Sequence, residues 1–347
     1  MKVFLKFTLL AVLILSLVAC ANDSSGSNGS GGGDGETIVM KLSHVGAPGS
    51  PRDLGAKKFK EVVESETNGN VKVEIYPASQ LGGQREQVEG VQFGDIEMVV
   101  VPTAYLGGTQ PLITLLDTPF FLPEDKDKLL ELYKTDAFKD ILATTEDVGI
   151  KTLGLWHTAY KHFSANKPLL TPDDFNGLKF RVMASPILIE QDKALGVTPI
   201  TMDFSETYSA LQSGAIDGQE NPIVTSFDMK FHEVQTDFTL TSHGVLDQMV
   251  MVNKNWYEEL SEDIQAAIVK GYEEGLKEVV SKTYSLVDEY SQKMEEQGVT
   301  LHELTPDQRQ ALVDAVKSVK EFARNEYADQ GGDKLFDALE KEIENLE

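Results

Sequence analysis

The sequence predicts an α/β fold in two domains with one long helix bridging them. Three observations carry this. Residues 38–102 alternate strand and helix patterns in the order β-α-β-α-β. A second set of the same kind begins near Gly149. An unbroken helical periodicity then runs over residues 261–297. The length, 347 residues, is more than one core usually serves.

In the first set, Ile38, Met40 and Leu42 alternate as in a strand. Leu54, Ala56, Phe59, Val62 and Val63 recur at helical spacing over 52–66. Val71, Val73 and Ile75 mark a second strand. Residues 84–93 read as a helix, and the apolar run at 96–102 suits a buried strand. Strands separated by helices argue for a sheet with parallel strands. In the second set, residues 149–156 and 177–182 read as strands and 186–195 as a helix. Ser205 is a candidate N-cap for a helix through Gln212. AIDGQE, 215–220, is a short strand with a polar end, and 247–253 is another strand. The long helix starts after Ser261, contains no Pro and ends at Gly298. At roughly 1.5 Å per residue it reaches about 50 Å, enough to lean on both domains. Thr305-Pro306-Asp307-Gln308 reads as a capping box with Pro at the first helical position, opening the terminal helices.

The N-terminus carries separate information. Lys2 and Lys6 precede an apolar stretch that ends in Leu17-Val18-Ala19-Cys20. This is the pattern of an export signal over 1–19, too short for a stable membrane span. Small residues before a cysteine resemble a lipobox, which makes Cys20 a candidate lipid-attachment site. Cys20 is the single cysteine, so no intrachain disulfide can form. Residues 20–36 form a Gly/Ser-rich tether with nothing to bury. The formal net charge of −25 argues against nucleic acid as a partner.

No catalytic or metal constellation stands out. There is no H-E-x-x-H, no G-x-S-x-G, no P-loop and no G-x-G-x-x-G. No cofactor or metal is expected, and nothing points to an enzyme. One residue does point to a ligand. Arg181 lies in the strand GLKFRV, near its C-terminal end. Ligands of open α/β sheets gather beyond such ends, and a guanidinium there can hold a carboxylate through two parallel hydrogen bonds. Asn221 follows AIDGQE in the corresponding place. The turns at Ser213-Gly214 and Asp217-Gly218 would aim its amide at the same anion.

Several segments resemble one known family, the extracytoplasmic solute-binding proteins of TRAP transporters, of the C4-dicarboxylate-binding type. They are YPASQLGGQREQVEGVQFGDIEM (76–98), DTPFFL (117–122), GLKFRV through GQENP (177–222) and FHEVQ (231–235). The resemblance covers about 38 to 340. It implies a periplasmic-binding-protein-like clamshell, crossed by hinge strands and a long domain-spanning helix. Lobe I would comprise 37–158 with 247–286, and lobe II 159–246 with 287–347. It also implies binding of a small organic acid, delivered to an ion-driven membrane permease. The family's signature arginine falls on Arg181, its ligand-binding asparagine on Asn221 and its packing aromatic on Phe204. A second basic contact falls on Lys161, a point charge without the planar fork of Arg. Gln84, His44 and His162 are further candidate hydrogen-bonding groups, with the two histidines reading equally well as structural. Trp156 is expected to pack the hinge. Where sialic-acid-binding relatives present polar groups, this chain has Val45, Pro102 and Ala184, which favours a C4-dicarboxylate or keto acid. A hexuronate, or a ligand-presenting role for a membrane receptor, is the alternative.

Overall fold

The computed structural model describes residues 37–346. The expected export signal, Cys20 and the tether lie outside the described residues. The first strands and helices follow the alternating pattern: β1 (Ile38–His44), α1 (Pro51–Glu66), β2 (Val71–Tyr76), α2 (Gln84–Phe93) and β3 (Met98–Pro102). β1 pairs in parallel with both β2 and β3. Two short helices follow, α3 (Lys126–Leu132) and α4 (Asp136–Ala143). The chain then enters β4 (Ile150–Ala165), which is twice as long as expected.

The second set holds β5 (Lys179–Val182), α5 (Pro186–Ala194), β6 (Thr198–Thr201), α6 (Thr207–Ser213), β7 (Gly218–Asn221) and α7 (Ile223–Asp228). β5 is parallel to β6 and β7. Ser205 does not cap α6. A capping box between Asp203 and Glu206 closes a short 3-10 turn at Phe204–Glu206, and α6 follows from it. β8 (Asp237–Asn253) also outruns its expected span. Its first half, DFTLTSHG, is polar on alternate positions and hides a strand signal from an apolar count.

α8 (Lys254–Glu259), α9 (Glu262–Glu296), β9 (Thr300–Glu303), α10 (Pro306–Glu326) and α11 (Gly332–Leu346) complete the chain. α9 is the long helix, with 35 residues. The box at Thr305–Gln308 caps α10 from both sides.

The nine strands of the described residues form one sheet in the order β2-β1-β3-β8-β4-β7-β5-β6, with β9 on β8. β4 and β8 are antiparallel and run through the whole middle of it. Their register shifts at three places, between Thr152 and Gly154, between His157 and Tyr160 and between Lys161 and Phe163, and Ala159 in the middle one takes a positive φ of 73°.

The sheet is buried on both faces. Val99 and Val101 join one apolar core with Met249, Met251, Phe163 and Phe180, covered by Val319, Phe336 and Leu339 of α10 and α11. Met98 and Val100 turn the other way and join a second core with Val250, Val252 and Trp156, covered by α1 and α9. This is the period-2 alternation of a strand with a core on each side. α1 and α9 approach closely through glycines. A Cβ on Gly55 would stand 2.3 Å from Val279 Cγ2. Trp156 is fully buried between these helices and the sheet, and its indole N–H donates to the Tyr272 carbonyl at 3.1 Å. It packs the sheet against α1 and α9. Among the described residues no helix is long and apolar enough to cross a membrane.

Candidate functional site

A small cavity lies where strand ends and helix starts converge. β5 brings Arg181, and β7 brings Asn221 as its last residue. The turn after β6 brings Phe204, the first residue of α2 is Gln84, and α1 brings Arg52. Val45, Pro102, Tyr105, Met183 and Leu246 complete the wall. Both α1 and α2 thus begin at the cavity, and the free N–H groups of helix starts favour an anion.

Arg181 is 1% exposed. Its Nη2 donates to the Tyr105 hydroxyl at 2.6 Å and to the Met202 carbonyl at 3.3 Å. Its Nε has no partner among the described residues, and its guanidinium lies over the Phe204 ring at 5.6 Å. Asn221 donates to Gln219 Oε1 at 2.5 Å, which fixes its amide.

Arg52 is the residue that the sequence reading missed. It is 7% exposed, and its Nε and Nη1 lack partners among the described residues. Burial pushes its pKa down to about 10. A signal was present: Ser50 caps α1, Pro51 opens it and Arg52 follows in the first turn. The helix dipole opposes a cation there, so an arginine in that place waits for an anion. No Asp or Glu lines the cavity among the described residues. In a chain of net charge −25, the site itself carries two arginines with no carboxylate among the residues that line it.

The structure places Lys161, His44 and His162 elsewhere. Successive strand residues face opposite ways. Asn221 faces the cavity, Glu220 faces away, and Lys161 goes with Glu220 at 2.7 Å. Glu220 also meets His243 Nε2 at 2.6 Å and Gln191 Nε2 at 3.1 Å. Burial pushes its carboxyl up, but Lys161 and His243 outweigh that and hold it well below the usual range. Lys161 is therefore committed to an internal ion pair and is not a cavity-lining residue. His162 accepts from the Ser242 N–H at 3.2 Å, and burial with nearby His243 pushes its pKa down to about 3. His44 sits 3.5 Å from Asp53, beneath the start of α1, and burial lowers its pKa against the pull of that carboxylate. Of the remaining candidates, Arg181, Asn221, Phe204 and Gln84 do meet at one cavity. Val45 and Pro102 line it too, whereas Ala184 lines an outer groove with Tyr105.

The arrangement can hold an anion and shield it from water. Among the described residues, no group of three or more His, Cys, Asp or Glu is placed to hold a metal.

The sequence model of the bacterial extracellular solute-binding protein family 7 (DctP) matches residues 42–326. The chain belongs to this family. The C4-dicarboxylate-binding periplasmic protein DctP of Rhodobacter capsulatus is 38% identical to this family member over 291 residues, 82% of this chain and 86% of that protein. Among solved structures, a TRAP periplasmic solute-binding protein of Desulfovibrio salexigens with bound orotic acid superimposes with a TM-score of 0.86 at 35% identity. The match covers 89% of this chain and all of that one, 100%. One from Shewanella oneidensis with bound succinate gives 0.82 at 32% identity, covering 88% and 99%. The fold is therefore the α/β two-domain clamshell of the TRAP solute-binding proteins, and the chain is a solute-binding component of that extracytoplasmic family.

Proposed function

We propose that this family 7 protein captures a C4-dicarboxylate in the cavity between Arg181 and Arg52. One observation carries the reading: two buried arginines present unpartnered N–H groups to one small cavity that no acid lines. Arg181 takes one carboxylate, steadied by Asn221, and Arg52 takes the other at the start of α1. Phe204, Met183 and Leu246 meet the carbon chain. Buried charge-assisted hydrogen bonds are strong ones. A hexuronate would set hydroxyls against Val45, Pro102, Met183 and Leu246, leaving them unpaired at a cost of about 1–3 kcal/mol each. The DctP of R. capsulatus and the succinate-bound neighbour support the same class of ligand.

Residues 37–158 with 247–286 form one lobe in this reading, and 159–246 with 287–347 the other. The cavity supports that division, since Arg52 and Gln84 stand on one side and Arg181, Phe204 and Asn221 on the other. The irregularity of β4 at Ala159 supports a hinge there. The loaded protein delivers its acid to a TRAP permease in the membrane, and Cys20 tethers it there through lipid.

Titration calorimetry with succinate and with butyrate tests the site. Arg181→Ala should weaken both acids about 100-fold, the equivalent of ~3 kcal/mol. Arg52→Gln should weaken succinate to a similar degree and leave butyrate nearly unchanged. Unchanged succinate affinity in Arg52→Gln would overturn the two-arginine assignment.

A further inference from the structure

Tyr105 lines the cavity beside Arg181. It sits on a short 3-10 turn, Thr103–Leu106, directly after β3, and is 9% exposed. That turn lies hard against the loop after β5, since a Cβ on Gly107 would stand 2.7 Å from the Ala184 carbonyl. The close approach brings the Tyr105 hydroxyl to 2.6 Å from Arg181 Nη2. A guanidinium can only donate, so the phenol oxygen is the acceptor in that bond. Its own proton is left over, and among the described residues no acceptor takes it. The charged groups around it are donors as well, for Arg181 Nε and Arg52 Nε and Nη1 all lack partners there.

We propose that Tyr105 is a ligand-binding residue, whose hydroxyl donates its proton to the carboxylate held by Arg181. The proposal rests on the dicarboxylate reading above. Arg181 Nε and Nη2 hang from one carbon, so an acid oxygen bound at Nε comes within reach of the phenol bound at Nη2. A carboxylate only accepts, which suits a proton that the protein leaves without an acceptor. Burial pushes the phenol's pKa up against the pull of Arg181 and Arg52, so the proton is present at neutral pH. Accepting from a cation also polarises the hydroxyl and strengthens it as a donor, and a bond from it to a carboxylate is of the strong, charge-assisted kind. In the proposed division of the lobes, Tyr105 stands opposite Arg181. One carboxylate is then gripped from both lobes, by the guanidinium on one side and the phenol on the other.

The test is calorimetric titration of the full chain with succinate and with butyrate, at mildly acidic pH so that the phenol stays protonated. Tyr105→Phe keeps the ring, which also lines the outer groove, and removes only the hydroxyl. It should weaken both acids by the same factor, about tenfold, because both offer a carboxylate to Arg181. A phenol that only props Arg181 would give a loss too, and Tyr105→3-fluorotyrosine separates the two roles. Fluorine makes the O–H a better donor and the oxygen a poorer acceptor. Donation to the ligand predicts tighter succinate binding in the fluorinated chain, and a prop predicts weaker. The fluorinated side chain is nearly the same size as the native one, so it serves alone if Tyr105→Phe does not fold. Unchanged affinity in Tyr105→Phe, or unchanged or weaker binding in the fluorinated chain, overturns the proposal and leaves the dicarboxylate site standing. Binding of neither acid by the wild type overturns the dicarboxylate reading and this proposal with it.

Discussion

Four consecutive residues of β7, Gly218-Gln219-Glu220-Asn221, are all buried although three are polar. Each polar side chain has a fixed partner. Gln219 donates to Ser164, Asn221 donates to Gln219, and Glu220 accepts from Lys161 and Gln191 and meets His243. The strand thus places one amide at the cavity and one carboxylate behind it. Lys161→Met would leave the Glu220 charge buried with less to balance it. Losing one partner of a buried ion pair costs about 3–5 kcal/mol. Urea unfolding should show that loss, while the folded variant should keep most of its affinity for succinate. A variant of unchanged stability that no longer binds would return Lys161 to the list of ligand contacts. Arg181 was legible because it stands in a strand that otherwise feeds a core. The side on which Lys161 lies was not legible, because a resemblance gives position along the chain but not which face of a strand a residue takes. Arg52 went unread because its signal, a cation in the first turn of α1 next to Asp53, has meaning only once that turn is seen to border the cavity.

At the scale of elements, the patterns placed α1, α2, α5, α9, β1, β2, β3 and β5 within about two residues, while β6, β9 and the short α3, α4, α7 and α8 went unread. What they missed in the two long strands has a common cause. The polar half of β8 and the far half of β4 are strands whose buried residues include Thr239, Thr241, His243, Lys161 and Ser164. Such residues satisfy each other inside, and that pairing is a property of the assembled sheet. The long helix was legible because its periodicity never breaks, and its glycines take their meaning only from contact with α1. Gly55→Ala should cost about 1–3 kcal/mol, because the added methyl meets Val279 Cγ2 and the Gly275 carbonyl at 3.2 Å. Val279→Ala in the same chain should recover part of that loss. A double-mutant cycle in urea checks it, and strictly additive effects would mean that the two helices do not meet as described.

At the scale of the molecule, Arg181 and Asn221 are almost fully buried beside the cavity, 1% and 2% exposed. In the proposed clamshell reading, movement of one lobe against the other would open the way to them. The proposed hinge at the β4 irregularity near Ala159 would give that movement a place. Small-angle scattering of the empty protein should therefore show a larger radius of gyration than the same protein with saturating succinate. An identical radius in both states would deny the hinge. Succinate at about 100 times its Kd should also stabilise the fold by about 2.7 kcal/mol through mass action, which thermal unfolding reads directly.

The two arginines without acidic partners have a further consequence. If the lobes close as proposed, shutting on nothing would bring two like charges together and withdraw them from water, whereas shutting on a dianion would complete a neutral cluster. The shut shape would then report occupancy, and a membrane component that recognised only that shape would be spared futile encounters with empty carriers.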